Sequence, residues 1–240
     1  MEQIAKITGR PVQMIAHRGA SAIERENSAA AFVAAGNRSY FGIETDVHIT
    51  ADGQTVIIHD DTTGRVAEKD LAVETVSRAE LDAIRLTDPF TGTVRSDLVL
   101  PTLEEYLGIC RHYGKTAVLE LKNRMNPAGL ATVAEILKAS GYEDHTIVIS
   151  FYYENLLDFK AHFPQLPMQF LTGEVDDALI CRLQKDGLDL DILWTALTPE
   201  WVAACHAAGI LVNCWTVDDP AAARTLAEYG VDFITSNCLE

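Results

Sequence analysis

The stretch from Met14 to Asp61 decides the fold and most of the chemistry: MIAHRGASAIERENSAAAFVAAGNRSYFGIETDVHITADGQTVIIHDD. Side chains on a strand alternate between faces. In GIETDV, Glu44 and Asp46 therefore share one face, and Ile43, Thr45 and Val47 take the other. Asp52-Gly53 marks a tight turn, because both residue types tolerate positive φ. A two-residue turn there pairs residue 46 with residue 59 and sets His59 opposite Asp46. Upstream, Ile15 and Ala16 mark a strand that ends at His17-Arg18-Gly19. A lone histidine or a lone E-x-D pair reads as an ordinary packed or solvated group. The combination does not, since two carboxylates on one face of a buried strand are costly unless a cation compensates them.

Beyond this stretch, apolar runs alternate with amphipathic ones along the whole chain. The candidate strands are Gln13–Ala16, Gly42–Val47, Thr55–His59, Thr116–Leu121, Thr146–Ser150, Met168–Leu171, Asp189–Trp194, Leu211–Thr216 and Phe233–Thr235. Helix starts are signalled by a capping box at Thr102. Asn126-Pro127, Thr198-Pro199 and Asp219-Pro220 each set a capping residue before a proline suited to the first turn. Gly141, Gly209 and Gly230 stand where a left-handed residue ends a helix. Repeated βα units on a chain of this length predict an α/β fold, a (β/α)8 TIM barrel. Thr55–His59 is then the return arm of a hairpin. A doubly wound sheet is the alternative, but no G-x-G-x-x-G follows the first strand. No helical pattern follows the last strand, so the eighth βα unit is incomplete. Residues 1–240 are expected to form a single domain. Within it, residues 61–100 are a short insertion after the second strand, lying over the barrel mouth, with a helix over residues 76–84.

At 240 residues and 48% hydrophobic content the chain can bury a sizeable core. Its formal net charge of −16 opposes binding to nucleic acid or to an anionic membrane. The same field repels phosphate-bearing substrates unless the site carries positive charge of its own. The opening residues contain no apolar signal segment, and no run is long enough to insert stably in a membrane. Cys110, Cys181, Cys205, Cys214 and Cys238 lack metal-site spacing and read as reduced thiols. The expected location is cytoplasmic.

In TAVLELK, Val118, Glu120 and Lys122 share a face, near the end of a strand where barrel active sites are built. Glu120 can join Glu44 and Asp46 as a third carboxylate, and Lys122 can face a substrate anion. Three carboxylates suit one hard divalent ion, Mg2+ or Ca2+, better than Zn2+. Two imidazoles, a hard cation, an arginine and a lysine suit displacement at phosphorus. The same groups also suit an aldol or enolisation reaction, so the chemistry alone leaves the class open. Trp215 shares a face with Leu211 and Asn213, which can turn it into the mouth, and Phe151 is similar. His48 is expected on the hairpin surface, and His112, His145, His162 and His206 are expected to be solvated.

The runs HRGASAIERENSAAAF, GIETDVHITADGQTVIIHDDTTGR, PTLEEYL, LELK, SF, CWTV and GVDFIT, in that order, resemble the glycerophosphodiester phosphodiesterase family. The resemblance covers nearly the whole chain. It implies metal-dependent hydrolysis of small-molecule glycerophosphodiesters to an alcohol and glycerol 3-phosphate, a step in glycerol and lipid metabolism. By resemblance His17 and His59 are the acid/base pair, and Glu44, Asp46 and Glu120 hold the metal. Arg18 and Lys122 contact phosphate, and Glu26 and Asn27 line the site. Two other readings keep the barrel: a lysophospholipase D or phosphatidylinositol-type phospholipase, and a non-catalytic module that binds phosphorylated metabolites. The oligomeric state is left open, a homodimer included. The chain departs from the family at Arg25, where proline is usual, at Ser28 in place of threonine, and at Ser236 in place of an acid. Arg25 is expected to loosen its loop or to add positive charge at the mouth.

Overall fold

The computed structural model describes residues 4–7, 9 and 11–240. Its strands are β1 (Gln13–Ala16), β2 (Gly42–Ile49), β3 (Thr55–Ile57), β4 (Thr116–Leu121), β5 (Thr146–Ser150), β6 (Met168–Thr172), β7 (Asp189–Leu193), β8 (Val212–Trp215) and β9 (Phe233–Ser236). All but β3 pair in parallel, in the order β1-β9-β8-β7-β6-β5-β4-β2, and the β1–β2 pairing closes the ring. This is a (β/α)8 barrel. The helices are α1 (Ala29–Gly36), α2 (Arg78–Asp82), α3 (Leu103–Tyr113), α4 (Pro127–Ser140), α5 (Tyr153–Lys160), α6 (Asp177–Asp186), α7 (Pro199–Ala207) and α8 (Pro220–Tyr229). Thr102, Asn126, Thr198 and Asp219 cap α3, α4, α7 and α8 through their side-chain oxygens, the last three ahead of a proline. Among the described residues no helix follows β9.

Two apolar layers hold the barrel. The outer faces of the strands pack against the helices, with Ile43, Val47, Leu119 and Leu121 meeting Phe32, Tyr106 and Leu130. The buried Tyr106 hydroxyl donates to the Ile43 carbonyl at 2.7 Å, so its polar end is satisfied. Inside the ring, Ile15, Val118, Ile147, Ile149, Leu171 and Phe233 form a smaller cluster. Residues 61–100 contribute to a third, in which Val66, Val73, Leu81, Ile84, Leu86 and Leu98 pack against Val56 and Ile58. The only α-helix there is α2, shorter than the sequence pattern suggests and opened by a capping box on Ser77.

The hairpin register differs from the expected one by a single residue. Val47 pairs with Ile57 and Ile49 with Thr55, and the Ile58 amide donates to the Asp46 carbonyl at 3.1 Å. The partner of Asp46 is therefore Ile58, not His59. The cause is a three-residue loop, Ala51-Asp52-Gly53, closed by Thr50 N–H to the Gln54 carbonyl, with Gly53 at φ +77°. His59 lies just beyond the ladder, where its ring is free to turn inward. His48 also corrects its expected surface position. It is fully buried, with Nδ1 3.0 Å from Glu74 and Nε2 3.3 Å from the His59 carbonyl.

Gly19 joins the first strand's loop to α1. It adopts φ +79°, and an added Cβ would lie 2.7 Å from the Ala31 carbonyl carbon. Gly19→Ala is expected to cost about 2–3 kcal/mol in urea unfolding, from backbone strain and backbone overlap together. A loss below about 0.5 kcal/mol would show that the loop shifts freely.

Candidate active site

The acids come from two adjacent strands. Asp46 and Glu120 face each other in register across β2 and β4, and Glu44 lies one pleat before Asp46. One ligand oxygen from each of the three falls within 4.8 Å of the others, and all three side chains are buried. Burial pushes the Glu44 carboxyl well above the usual range, with the Asp46 charge adding to it. Burial and then Asp46 push Glu120 up to about 8. Asp46 goes the other way: burial opposes its charge, but Arg18 and Lys122 outweigh that and hold it well below the usual range. Asp46 Oδ1 is buried without a hydrogen-bond partner. An all-oxygen donor set with an orphaned carboxylate oxygen fits a hard divalent cation.

Two cations sit on these acids. Lys122 Nζ is 2.9 Å from Glu120 and 3.5 Å from Asp46. Arg18 donates its backbone N–H to Glu44 at 2.8 Å and Nη1 to Glu26 at 2.9 Å, and its Nε is 3.6 Å from Asp46. Asn27 holds Asp46 through Nδ2 at 2.7 Å, while its Oδ1 accepts from Thr45 at 2.8 Å. Arg18, Asn27 and Asn123 are the non-glycine residues with positive φ, at +55°, +51° and +51° among the described residues. Arg18 and Asn27 owe that strained backbone to the carboxylates they serve.

The imidazoles can be assigned a tautomer from their partners. Asn237 Nδ2 donates to Asp218 at 2.7 Å, which turns the Asn237 oxygen toward His17. An amide oxygen only accepts, so His17 Nδ1 carries the proton in this 2.8 Å bond and Nε2 keeps its lone pair. Burial, then Arg18, lower His17 to about 4, which leaves it neutral near pH 7. His59 Nδ1 lies 2.6 Å from the Asp60 carboxylate, which is in turn bound by Arg65 at 2.6 Å. Asp60 is held down to about 2, chiefly by Arg65. A cavity of about 170 Å³ is lined by His17, Arg18, Glu44, His59 and Glu120 on one side and by Phe151, Asp191, Trp215 and Thr235 on the other. Phe151 and Trp215 meet edge to face at 5.4 Å.

A family model described as the glycerophosphoryl diester phosphodiesterase family matches residues 17–240. The chain belongs to this family. A glycerophosphodiester phosphodiesterase of Caldanaerobacter subterraneus subsp. tengcongensis is 30% identical over 234 residues, covering 93% of each chain. The solved structure of an Oleispira antarctica phosphodiesterase in complex with the product sn-glycerol-3-phosphate superposes with a TM-score of 0.88 at 29% identity, over 95% of this chain and 93% of that one. The structure of a glycerophosphodiester phosphodiesterase from Thermotoga maritima, at 23% identity and TM-score 0.77, shares the barrel, over 96% of each chain. The chain is accordingly an enzyme, a phosphoric diester hydrolase of this family.

Among the sequence-derived candidates, His17, His59, Arg18, Glu44, Glu120, Phe151 and Trp215 meet at the cavity of this family member. Asp46 and Lys122 stand behind that wall on the other acids, and Glu26 and Asn27 hold Arg18 and Asp46 instead of lining it. Arg25 neither loosens its loop nor adds charge at the mouth. It is buried, and Nε donates to the Thr87 carbonyl at 2.6 Å. Ser28 still caps α1, and the acid missing at Ser236 is supplied by Asp218, which accepts from Ser236 Oγ at 2.9 Å. His206 is not simply solvated, since Nε2 lies 2.9 Å from Asp232. Sequence reading missed Asn237, Asp218, Asp60, Arg65 and Asp191. Only Asp60, adjacent to His59, carried a local signal.

Because Glu44 and Glu120 are held protonated by burial, a cation entering this site must displace protons. The contribution of Glu120 to stability is fully present below the ordinary carboxylate range and is lost as pH rises from there through about 8. We expect Mg2+ or Ca2+ binding at pH 7 to release protons from Glu44 and Glu120, about two in all, and affinity to rise with pH up to about 8. Calorimetry in buffers of different ionisation enthalpy measures both. Proton-neutral, pH-independent binding would place the cation elsewhere.

Proposed function

We propose that this chain hydrolyses glycerophosphodiesters to an alcohol and glycerol 3-phosphate, using one Mg2+ or Ca2+ held by Glu44, Asp46 and Glu120. The observation that carries this reading is a cluster of three buried acids, two of which, Glu44 and Glu120, line one cavity together with two oriented imidazoles. The relatives' activity and the product bound in the Oleispira structure support it. The bound cation would polarise a non-bridging phosphate oxygen and stabilise charge developing there. Arg18 lines the same cavity and adds fixed positive charge beside the phosphate, while Lys122 secures the acids.

The two histidines divide the proton transfers. Neutral His17, with its Nε2 lone pair directed by the Asn237 bond, takes the proton from the attacking oxygen. His59 gives a proton to the alkoxide as its bond to phosphorus breaks. Burial lowers His59 overall, while Asp46 and then the adjacent Asp60 carboxylate work against that and favour the imidazolium this donation requires. A small, half-enclosed cavity favours deacylated head groups such as glycerophosphocholine over acylated lipids. We read residues 61–100 as the frame of the mouth, since Arg65 braces Glu26 and Asp60. We place the reaction in the cytoplasm, as part of glycerol and lipid metabolism. The thiols of Cys110, Cys181, Cys205 and Cys214, which form no disulfide, support a reducing compartment.

Excess chelator should abolish glycerol 3-phosphate release from glycerophosphocholine, and added Mg2+ or Ca2+ should restore it. His17→Ala and His59→Ala should each lower kcat by about 10²–10⁴-fold with the melting temperature nearly unchanged. Full turnover in chelator contradicts the metal assignment. Faster cleavage of lysophosphatidylcholine would move the reading to a lysophospholipase D, and binding without turnover to a non-catalytic module.

A further inference from the structure

The barrel interior carries four polar side chains that the reaction above does not use: Gln169, Asp191, Asn213 and Thr235, all buried. Three of them bond one another. Asn213 Nδ2 donates to Gln169 at 3.1 Å, and Thr235 Oγ1 donates to Asn213 at 3.3 Å. Asp191 stands outside this set. Its side chain is 1% exposed, and Oδ1 has no hydrogen-bond partner. Leaving such an atom unpaired costs about 1–3 kcal/mol, so it is an expensive feature unless something arrives to pair with it. It also lines the cavity that holds His17, His59, Glu44 and Glu120.

Its place in the ring says what could arrive. Reading around the barrel, β7 lies four strands from β2, so Asp191 faces the acids from the opposite wall. Trp215 Nε1 donates to the Asp191 carbonyl at 3.4 Å, and Phe151 meets the Trp215 ring. These contacts give the far wall two apolar rings and one unpaired carboxyl. A phosphate drawn to the acid and arginine side would leave its short polyol arm within reach of that wall. Aromatic faces cover the carbon chain, and the carboxyl is left for an oxygen.

Resting on the functional reading above, we propose that Asp191 is a substrate-binding residue that pairs with a free hydroxyl of the glycerol moiety and selects substrates that keep it. Burial raises its carboxyl well above the usual range. The protonated form that burial favours can both donate to and accept from a hydroxyl, and it adds no repulsion toward an anionic substrate. An esterified hydroxyl has no proton to give and carries a bulky acyl group, and a missing one leaves Asp191 unpaired as before. Sites built around a substrate hydroxyl discriminate strongly for this reason.

The test compares two ligands on the metal-loaded full chain by calorimetry: glycerol 3-phosphate, and propyl phosphate, which lacks both hydroxyls. Wild type is expected to prefer glycerol 3-phosphate, and Asp191→Leu to cut that preference by about 10-fold or more, with metal affinity retained. If leucine prevents folding, Asp191→Ser is read the same way. No preference in wild type, an unchanged preference in the variant, or equal weakening of both ligands would each overturn the assignment. Turnover of glycerophosphocholine by wild type separates the two layers. Its absence with either metal sinks the functional reading and this inference with it, whereas turnover with an unchanged preference sinks the Asp191 assignment alone.

Discussion

Asp46 and Glu120 face each other across adjacent strands, Glu44 lies one pleat away, and the barrel has to accommodate the charge. Two like charges about 4 Å apart repel by roughly 4 kcal/mol at an effective dielectric near 20. Burial then adds the loss of hydration. Arg18 and Lys122 offset part of this, but two cations cannot balance three anions. The remainder has to be met by protons or by a divalent ion. Glu44 and Glu120 take protons when nothing else is offered and so shift with burial, whereas in Asp46 Arg18 and Lys122 overcome burial.

The loop carrying Arg18 and Asn27 is held from the barrel by Glu44, Thr45 and Asp46, and from the other side by the insertion. Three guanidinium groups tie it to residues 61–100, one from the loop and two from the insertion. Arg25 donates to Thr87, Arg65 binds Glu26 at 2.6 and 2.8 Å, and Arg95 reaches Glu24 at 3.1 Å. A single exposed ion pair contributes little. A bidentate pair joined to others is worth more, because each contact reduces the freedom the next must lose. The insertion has its own apolar cluster, so these arms extend from a packed base. The strained backbone at Arg18 and Asn27 persists because the loop is fixed at both ends.

The barrel is legible in the sequence because its signals are local. β1, β4 and β5 match their apolar runs to the residue, and the proline-preceded caps fall where their chemistry requires. Period-two alternation is enough to set Glu44 beside Asp46 on one strand face and Glu120 beside Lys122 on another. The register error arises one level up. Asp52-Gly53 signals a turn without saying how long the loop is, and one extra residue moves the partner of Asp46 from His59 to Ile58. His48 is misplaced because β2 runs on to Ile49 and the insertion covers its end with Glu74.

What the sequence withholds is pairing over distance. His17 and Asn237 are 220 residues apart, and nothing in either segment names the other. Yet that contact separates the two imidazoles chemically. His59 leans on a carboxylate next to it in the chain, which opposes the burial that lowers the ring. His17 leans on an amide, which fixes the proton on Nδ1 and gives the ring no charge to favour. An acid at position 237 would draw His17 toward imidazolium and cost it the lone pair it needs as a base. Asp218 supplies the carboxylate one bond further back, where it turns the Asn237 amide without touching the ring. The substitution at Ser236 is thus compatible with the chemistry, because the negative charge has moved to a neighbouring loop and reaches His17 only through a neutral group.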